Sequence, residues 1–238
     1  MRGPASYECT KRDGSSADRG GPRLRADRRR LLIVDDHEVL AMSLGHVLDA
    51  EPDLHTVAAA RSLAEARSLL PQVLPDVVLM DHRLPDGDGV AAIAELRDLR
   101  PSTQYVVLTA STADQVLVSA IDAGASGFLS KSRSLDEVRS AVRAAHGGEA
   151  VISPEMLARL LPRLNRNRNS ANVDLTEREL DVLALVSEGL TNSEIAAQLV
   201  VSVHTVRNHV ANISTKLGAH SKLEVLSIAI RQGLLPGR

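Results

Sequence analysis

Between residues 31 and 146 the chain alternates five times between a short apolar run and a longer stretch of helical periodicity. No other feature limits the fold as strongly. Residues 31–34, 54–58, 76–80, 105–108 and 127–129 are short, apolar and rich in β-branched side chains, which suits strands buried on both faces. Helical patterns occupy 38–49, 62–70, 89–99, 113–123 and 135–146. A helix after every strand makes successive strands parallel and covers the sheet above and below. The expected fold is α/β, a five-stranded doubly wound parallel sheet.

In such a sheet, ligands gather outside the carboxyl ends of the strands. Here the first strand runs into Asp35 and Asp36, the third into Asp81 and the fourth into Thr109, and Ser130 and Lys131 follow the fifth. Carboxylates suit a hard cation such as Mg²⁺, which keeps waters that a phosphate can displace. A lysine beside them neutralises a transferring phosphoryl group, and Asp81 is the candidate nucleophile. Taken singly, each residue also has a structural reading. Asp35 and Asp36 can cap a helix, Thr109 can end a strand, LPDGDG is a turn and Phe128 can simply pack. An aspartate-nucleophile phosphatase would need a second carboxylate two residues after Asp81, where Arg83 stands.

After Gly147 and Gly148 comes a possible short helix at 154–164, then the polar run NRNRNSAN at 165–172, which reads as a linker. The rest is helical. Thr176 with Glu179 forms a capping box for a helix to 188, Asn192 caps 193–199, Ser202 caps 203–217, and a last helix spans 221–232. Domains are therefore expected at 30–148 and 174–238, with a linker at 149–173 and a disordered tail at 1–29 that could also serve as a basic arm on DNA. In the helical domain Ile195, Ala196 and Leu199 face Val206, Val210, Ile213 and Leu217, the pattern of two helices joined by a turn. The second helix then presents His204, Arg207, Asn208 and Ala211 outward. Arg and Asn there suit base edges in the major groove, while Thr205 and Lys216 suit phosphates. An all-helical bundle binding protein or only water remains the alternative from periodicity alone.

Composition narrows the partners. The chain of 238 residues has no Trp, one Phe and two Tyr, so stacking on single-stranded nucleic acid is disfavoured. Cys9 is the only cysteine, which excludes an internal disulfide framework. No apolar run has the length to span a bilayer, and the expected location is the cytoplasm. With a net charge of −2, DNA contact must be short and positioned.

The segments LLIVDDHEVL, PDVVLMDHRLPDGDG, VVLTA and GASGFLSKS are similar, in order and spacing, to the flavodoxin-like receiver domains of response regulators. The run LTERELDVLALVSEGLTNSEIAAQLVVSVHTVRNHVANISTKLG resembles LuxR-type DNA-binding domains. Together they resemble a NarL/FixJ-type two-component response regulator, a transcription factor rather than an enzyme. The resemblance implies that Asp81 accepts phosphate from a sensor histidine kinase. Asp35, Asp36 and Asp81, with the backbone carbonyl of Arg83, would hold Mg²⁺. Thr109 and Lys131 would contact the phosphoryl oxygens, and Thr109 and Phe128 would act as the switch. Arg207, Asn208 and Ala211 occupy base-reading positions, and Ser132 departs from the proline many receivers carry. The near-neutral helical domain implies a homodimer on double-stranded DNA, with Leu223, Leu226 and Ile230 as the expected dimer face and RNA polymerase as a candidate further partner. Two rivals are a constitutive DNA-binding regulator that needs no phosphate and a phosphorelay intermediate.

Overall fold

The computed structural model describes residues 28–111, 113–153, 156–157, 160 and 173–235. Its first part holds strands β1 (Arg29–Val34), β2 (Leu54–Ala60), β3 (Val77–Asp81), β4 (Arg83–Leu84), β5 (Gly87–Asp88), β6 (Gln104–Thr109) and β7 (Gly127–Ser130). Between and after them lie helices α1 (Glu38–Asp49), α2 (Leu63–Val73), α3 (Gly89–Leu99), α4 (Asp114–Asp122) and α5 (Leu135–His146). The five expected strands form one parallel sheet in the order β2-β1-β3-β6-β7. Most of the expected tail, the linker at 165–172 and most of the short helix at 154–164 lie outside the described residues.

Strand alternation sorts the core into two layers. Leu32, Val34, Val78, Met80, Tyr105, Val107 and Phe128 share one face with Leu70 of α2, Ile93 of α3 and Ile121 of α4. Their neighbours Leu31, Ile33, Val77, Leu79, Val106 and Leu108 share the other with Leu44 and Leu48 of α1 and Val142 of α5. This is why the strands read as unbroken apolar runs: both side-chain rows are buried. Each fully buried Leu, Ile or Val stabilises the fold by about 1.5–3 kcal/mol. Helix α2 runs through Pro71 to Val73, past the expected end at 70, and Leu74 in a left-handed conformation closes it by donating its N–H to the Leu70 carbonyl.

The run LPDGDG is more than a turn. It makes the antiparallel pair β4-β5, and its two acids cap different helices. The Asp86 carboxylate accepts the N–H groups of Leu63 and Ala64, each at 2.9 Å, at the start of α2. Those bonds hold Asp86 below the usual carboxylate range. The Asp88 carboxylate accepts from Val90 at 2.8 Å and Ala91 at 3.2 Å at the start of α3. Gly89 follows directly, and a Cβ there would lie 1.9 Å from the Asp81 backbone carbonyl oxygen.

The second part holds α6 (Glu177–Ser187), α7 (Asn192–Leu199), α8 (Val203–Leu217) and α9 (Lys222–Arg231). Thr176 and Glu179 form the expected capping box. A second, Thr191 with Glu194, caps α7 one residue before the expected Asn192. Val182, Leu183, Ile195, Val206, Ile213 and Val225 make this part's own core. Among the described residues no helix is long and apolar enough to cross a membrane.

The two parts touch through α4 and α9. Leu223, Leu226 and Ile230, expected at a dimer face, instead join the cluster that contains Ile121, Ala125 and Phe128. Burial within the chain satisfies the same apolar stripe. Ser221 donates its hydroxyl to the Ala125 carbonyl at 2.9 Å, and Arg231 pairs with Asp122.

Gly89→Ala forces its new methyl group against backbone at the end of β3, and about 3 kcal/mol of stability should be lost. Gly148→Ala meets nothing within 4 Å, but its φ of +75° makes the change cost about 1 kcal/mol. Urea unfolding of both variants checks the order, and an equal loss in the two would contradict the close approach at Gly89.

Candidate functional site

The carboxyl ends of β1, β3, β6 and β7 open into a cavity of about 550 Å³ lined by Asp36, His37, Asp81, Arg83, Thr109 and Lys131. Asp35 is buried beneath it, and Asp81 is only 6% exposed, while Asp36 reaches solvent. Lys131 places its ammonium 2.6 Å from Asp35 Oδ2 and 2.7 Å from Asp81 Oδ2. Burial opposes charge on Lys131, but the hydrogen bonds to Asp35 and Asp81 outweigh it and lift the group above the usual lysine range. The Lys131 N–H donates to the Thr109 carbonyl at 2.8 Å, and the Thr109 hydroxyl accepts from the Ser111 N–H at 3.0 Å. Asp35, Asp36, Asp81, Arg83, Thr109 and Lys131 are therefore gathered at the carboxyl ends of the strands, while the Ser130 hydroxyl turns to Ser132 instead.

The donor set fits a divalent cation. One ligand atom from each of Asp35, Asp36, His37 and Asp81 can be chosen so that all lie within 4.8 Å of one another. Carboxylates predominate, which favours hard cations over thiolate-seeking ones. Two histidines here escaped the sequence reading. His37 lies 2.9 Å from Asp36 Oδ1 through its Nδ1, and its backbone N–H donates to Asp35 Oδ1 at 2.9 Å. His82 lines the cavity, with Nε2 3.6 Å from the Asp88 carboxylate and a buried Nδ1 lacking a partner among the described residues. Their signal was adjacency alone: each directly follows an acidic pocket residue in sequence. Phe128 is 1% exposed and points into the core rather than the cavity.

In α8, Val206, Ile213 and Leu217 are buried while His204, Arg207, Asn208 and Ala211 stay exposed and Thr205 is half-buried. The side chains expected to turn outward from this helix do so. Lys216 does not stand free for a phosphate. Its ammonium lies 2.7 Å from Glu179 Oε2, the acid of the α6 capping box, and the pairing holds Glu179 below the usual carboxylate range. Arg207 and Ala211 face the first domain across a cleft of about 310 Å³ shared with His146, Gly147, Gly148 and Glu149.

A parallel sheet carrying this acidic pocket, joined to a helix-turn-helix, defines the class of two-component response regulators. Family models agree: the response regulator receiver domain matches residues 31–143, and bacterial regulatory proteins of the luxR family match 173–229. The chain is 34% identical over 212 residues to the transcriptional activator DevR/DosR of Mycobacterium tuberculosis, covering 87% of this chain and 98% of that protein. It is 33% identical over 215 residues to the transcriptional regulatory protein LnrK of Bacillus subtilis, covering 86% and 98%. A LuxR-family response regulator from Aurantimonas sp. has a similar structure, with a TM-score of 0.54 and 27% identity over 57% of this chain and 97% of that one. The protein belongs to the LuxR family of response regulators, which are DNA-binding transcription regulators and not enzymes.

Removing Asp36 should weaken divalent-cation binding about tenfold or more, since a carboxylate ligand is lost from the set. Lys131→Ala should not weaken it, because the ammonium competes with the cation for Asp35 and Asp81. Calorimetric titration of both variants distinguishes them, and cation binding unchanged in Asp36→Ala would discredit the pocket.

Proposed function

We propose that Asp81 is the phosphoacceptor and that its phosphorylation by a sensor histidine kinase in the cytoplasm releases the DNA-binding domain to dimerise on double-stranded DNA. The observation that carries this reading is the convergence of Asp35, Asp36, Asp81, Thr109 and Lys131 at one sheet edge. An Asp81 oxygen attacks the phosphorus of the phosphohistidine, the P–N bond breaks, and the imidazole leaves with the electron pair and takes up a proton. Asp35, Asp36, Asp81 and the Arg83 carbonyl would hold Mg²⁺, which would offset charge on the phosphoryl oxygens. Lys131 and Thr109 donate to those oxygens.

The added charge draws Lys131 and Thr109 toward the phosphoryl group, Lys131 away from Asp35 and the Thr109 hydroxyl away from the Ser111 N–H. Phe128, on the strand beside Thr109, packs in the cluster that also holds Leu223 and Leu226 of α9. Repacking there biases the α4-α9 contact toward opening, which frees Arg207 and Ala211 from the cleft to enter a major groove together with Asn208, His204 and Thr205. The same opening frees Leu223, Leu226 and Ile230 for a partner subunit. Lys216, tied to Glu179, contributes little to phosphate binding.

Asp81→Asn keeps the side-chain shape and removes the nucleophile, so DNA binding should no longer respond to acetyl phosphate. In the wild type the response should be about five- to 150-fold, the range of a coupling free energy of about 1–3 kcal/mol. Operator titrations of wild type and variant, each with and without acetyl phosphate and Mg²⁺, decide the matter. Four identical curves, with phosphorylation of the wild type confirmed by intact mass, would establish a constitutive regulator instead.

Arg207→Ala should cost about 1–3 kcal/mol on the specific site and less on random DNA. Equal losses on the two DNAs would make Arg207 a phosphate contact only.

A further inference from the structure

The cleft between the two domains is rich in hydrogen-bond donors and poor in free acceptors. Arg207 of α8, Lys222 of α9, His220 just before α9 and His146 at the end of α5 all line it. Its single acid, Glu149, is already committed. One carboxylate oxygen takes the Lys222 ammonium at 2.8 Å and the other takes the Asn192 N–H at 2.8 Å. Arg207 has neither an ion pair nor a hydrogen bond among the described residues, although a Cβ built on Gly147 would lie 3.8 Å from its Nη2.

The neutral groups follow the same trend. Arg29 donates its Nε–H to His146 Nδ1 at 3.3 Å. A neutral His146 therefore carries its proton on Nε2, as a donor. Burial, then the charge of Arg29, hold this imidazole below the usual histidine range against an opposing pull from Asp76, with Arg207 adding the smallest push in the same direction as Arg29. The Gln104 carbonyl accepts the Ser126 hydroxyl at 2.6 Å, which leaves the Gln104 amide N–H groups as donors at the cleft. A guanidinium with no carboxylate, an imidazole N–H and an amide NH₂ around one cavity are complementary to an oxyanion.

We propose that this cleft is a binding site for a small phosphate-class oxyanion, held between Arg207 and His220 of the DNA-binding domain and His146 and Gln104 of the receiver domain. The volume of about 310 Å³ admits inorganic phosphate or the phosphate end of a small metabolite. An anion there joins groups from both domains and occupies Arg207, so it holds the closed arrangement and opposes DNA binding. That consequence rests on the functional reading above; the binding itself does not.

The test uses the full chain and inorganic phosphate, with sodium chloride matched for ionic strength. Phosphate should raise the melting temperature more than matched chloride and should bind as a single site in calorimetry. Arg207→Ala and the exposed-site variant His220→Ala should weaken binding, the former about tenfold or more, as loss of a charge-assisted pair implies. Lys131→Ala, which alters the Asp81 pocket, should leave it intact. Phosphate should also weaken operator binding by the wild type more than matched chloride does, and should do so less in His220→Ala. Equal shifts with chloride, or binding lost in Lys131→Ala but kept in Arg207→Ala, would overturn the proposal. Arg207-dependent phosphate binding in a protein indifferent to acetyl phosphate would uphold the cleft and sink phosphate control through Asp81. A normal acetyl phosphate response without phosphate binding would do the reverse.

Discussion

The ammonium of Lys131 between Asp35 and Asp81 is the contact on which the acidic edge depends. Parallel topology brings the ends of β1 and β3 side by side, which gathers carboxylates that repel one another in partly buried surroundings. A single cation at 2.6 and 2.7 Å from two of them offsets this. Removing one member of such a buried set leaves a charge without a partner, which costs more than the pair contributes. The backbone of Lys131 also bonds to Thr109, so the residue that balances charge in the pocket also extends the β6-β7 pairing by one hydrogen bond.

The sheet was legible because its signals are local. Apolar runs of strand length set five strands, and helical periodicity placed α1, α3 and α5 at their observed ends. The pocket was legible because strand ends in such a sheet have a known direction, which places Asp35, Asp81, Thr109 and Lys131 on one side of it from their sequence positions alone. What escaped depends on contacts between distant segments. Asp86 caps α2 from a loop more than 20 residues away. Lys216 meets Glu179 across 37 residues. Asn192 was expected as a cap because its residue type suits one, yet Thr191 caps the helix and Asn192 is buried, its side-chain oxygen accepting from Lys222.

The stripe of Leu223, Leu226 and Ile230 carries a more general lesson. Periodicity established that it must be covered, and nothing in one chain's sequence says by what. The α/β domain covers it here. A stripe buried between two domains of one chain couples them, so a change in the packing of either domain bears on the other.

Lys222 illustrates how the closed arrangement is held. Its side chain is 4% exposed, and its ammonium meets Glu149, the Leu190 carbonyl and Asn192 at the boundary between the domains. When the domains part, this ammonium and the Glu149 carboxylate recover their hydration, which offsets much of the lost attraction. The leucines and isoleucine beside them gain no such compensation, and wetting them raises the heat capacity. Closure is thus held mainly by the hydrophobic effect and trimmed by ions. Its strength falls on cooling, so temperature sets how tightly the two domains hold together.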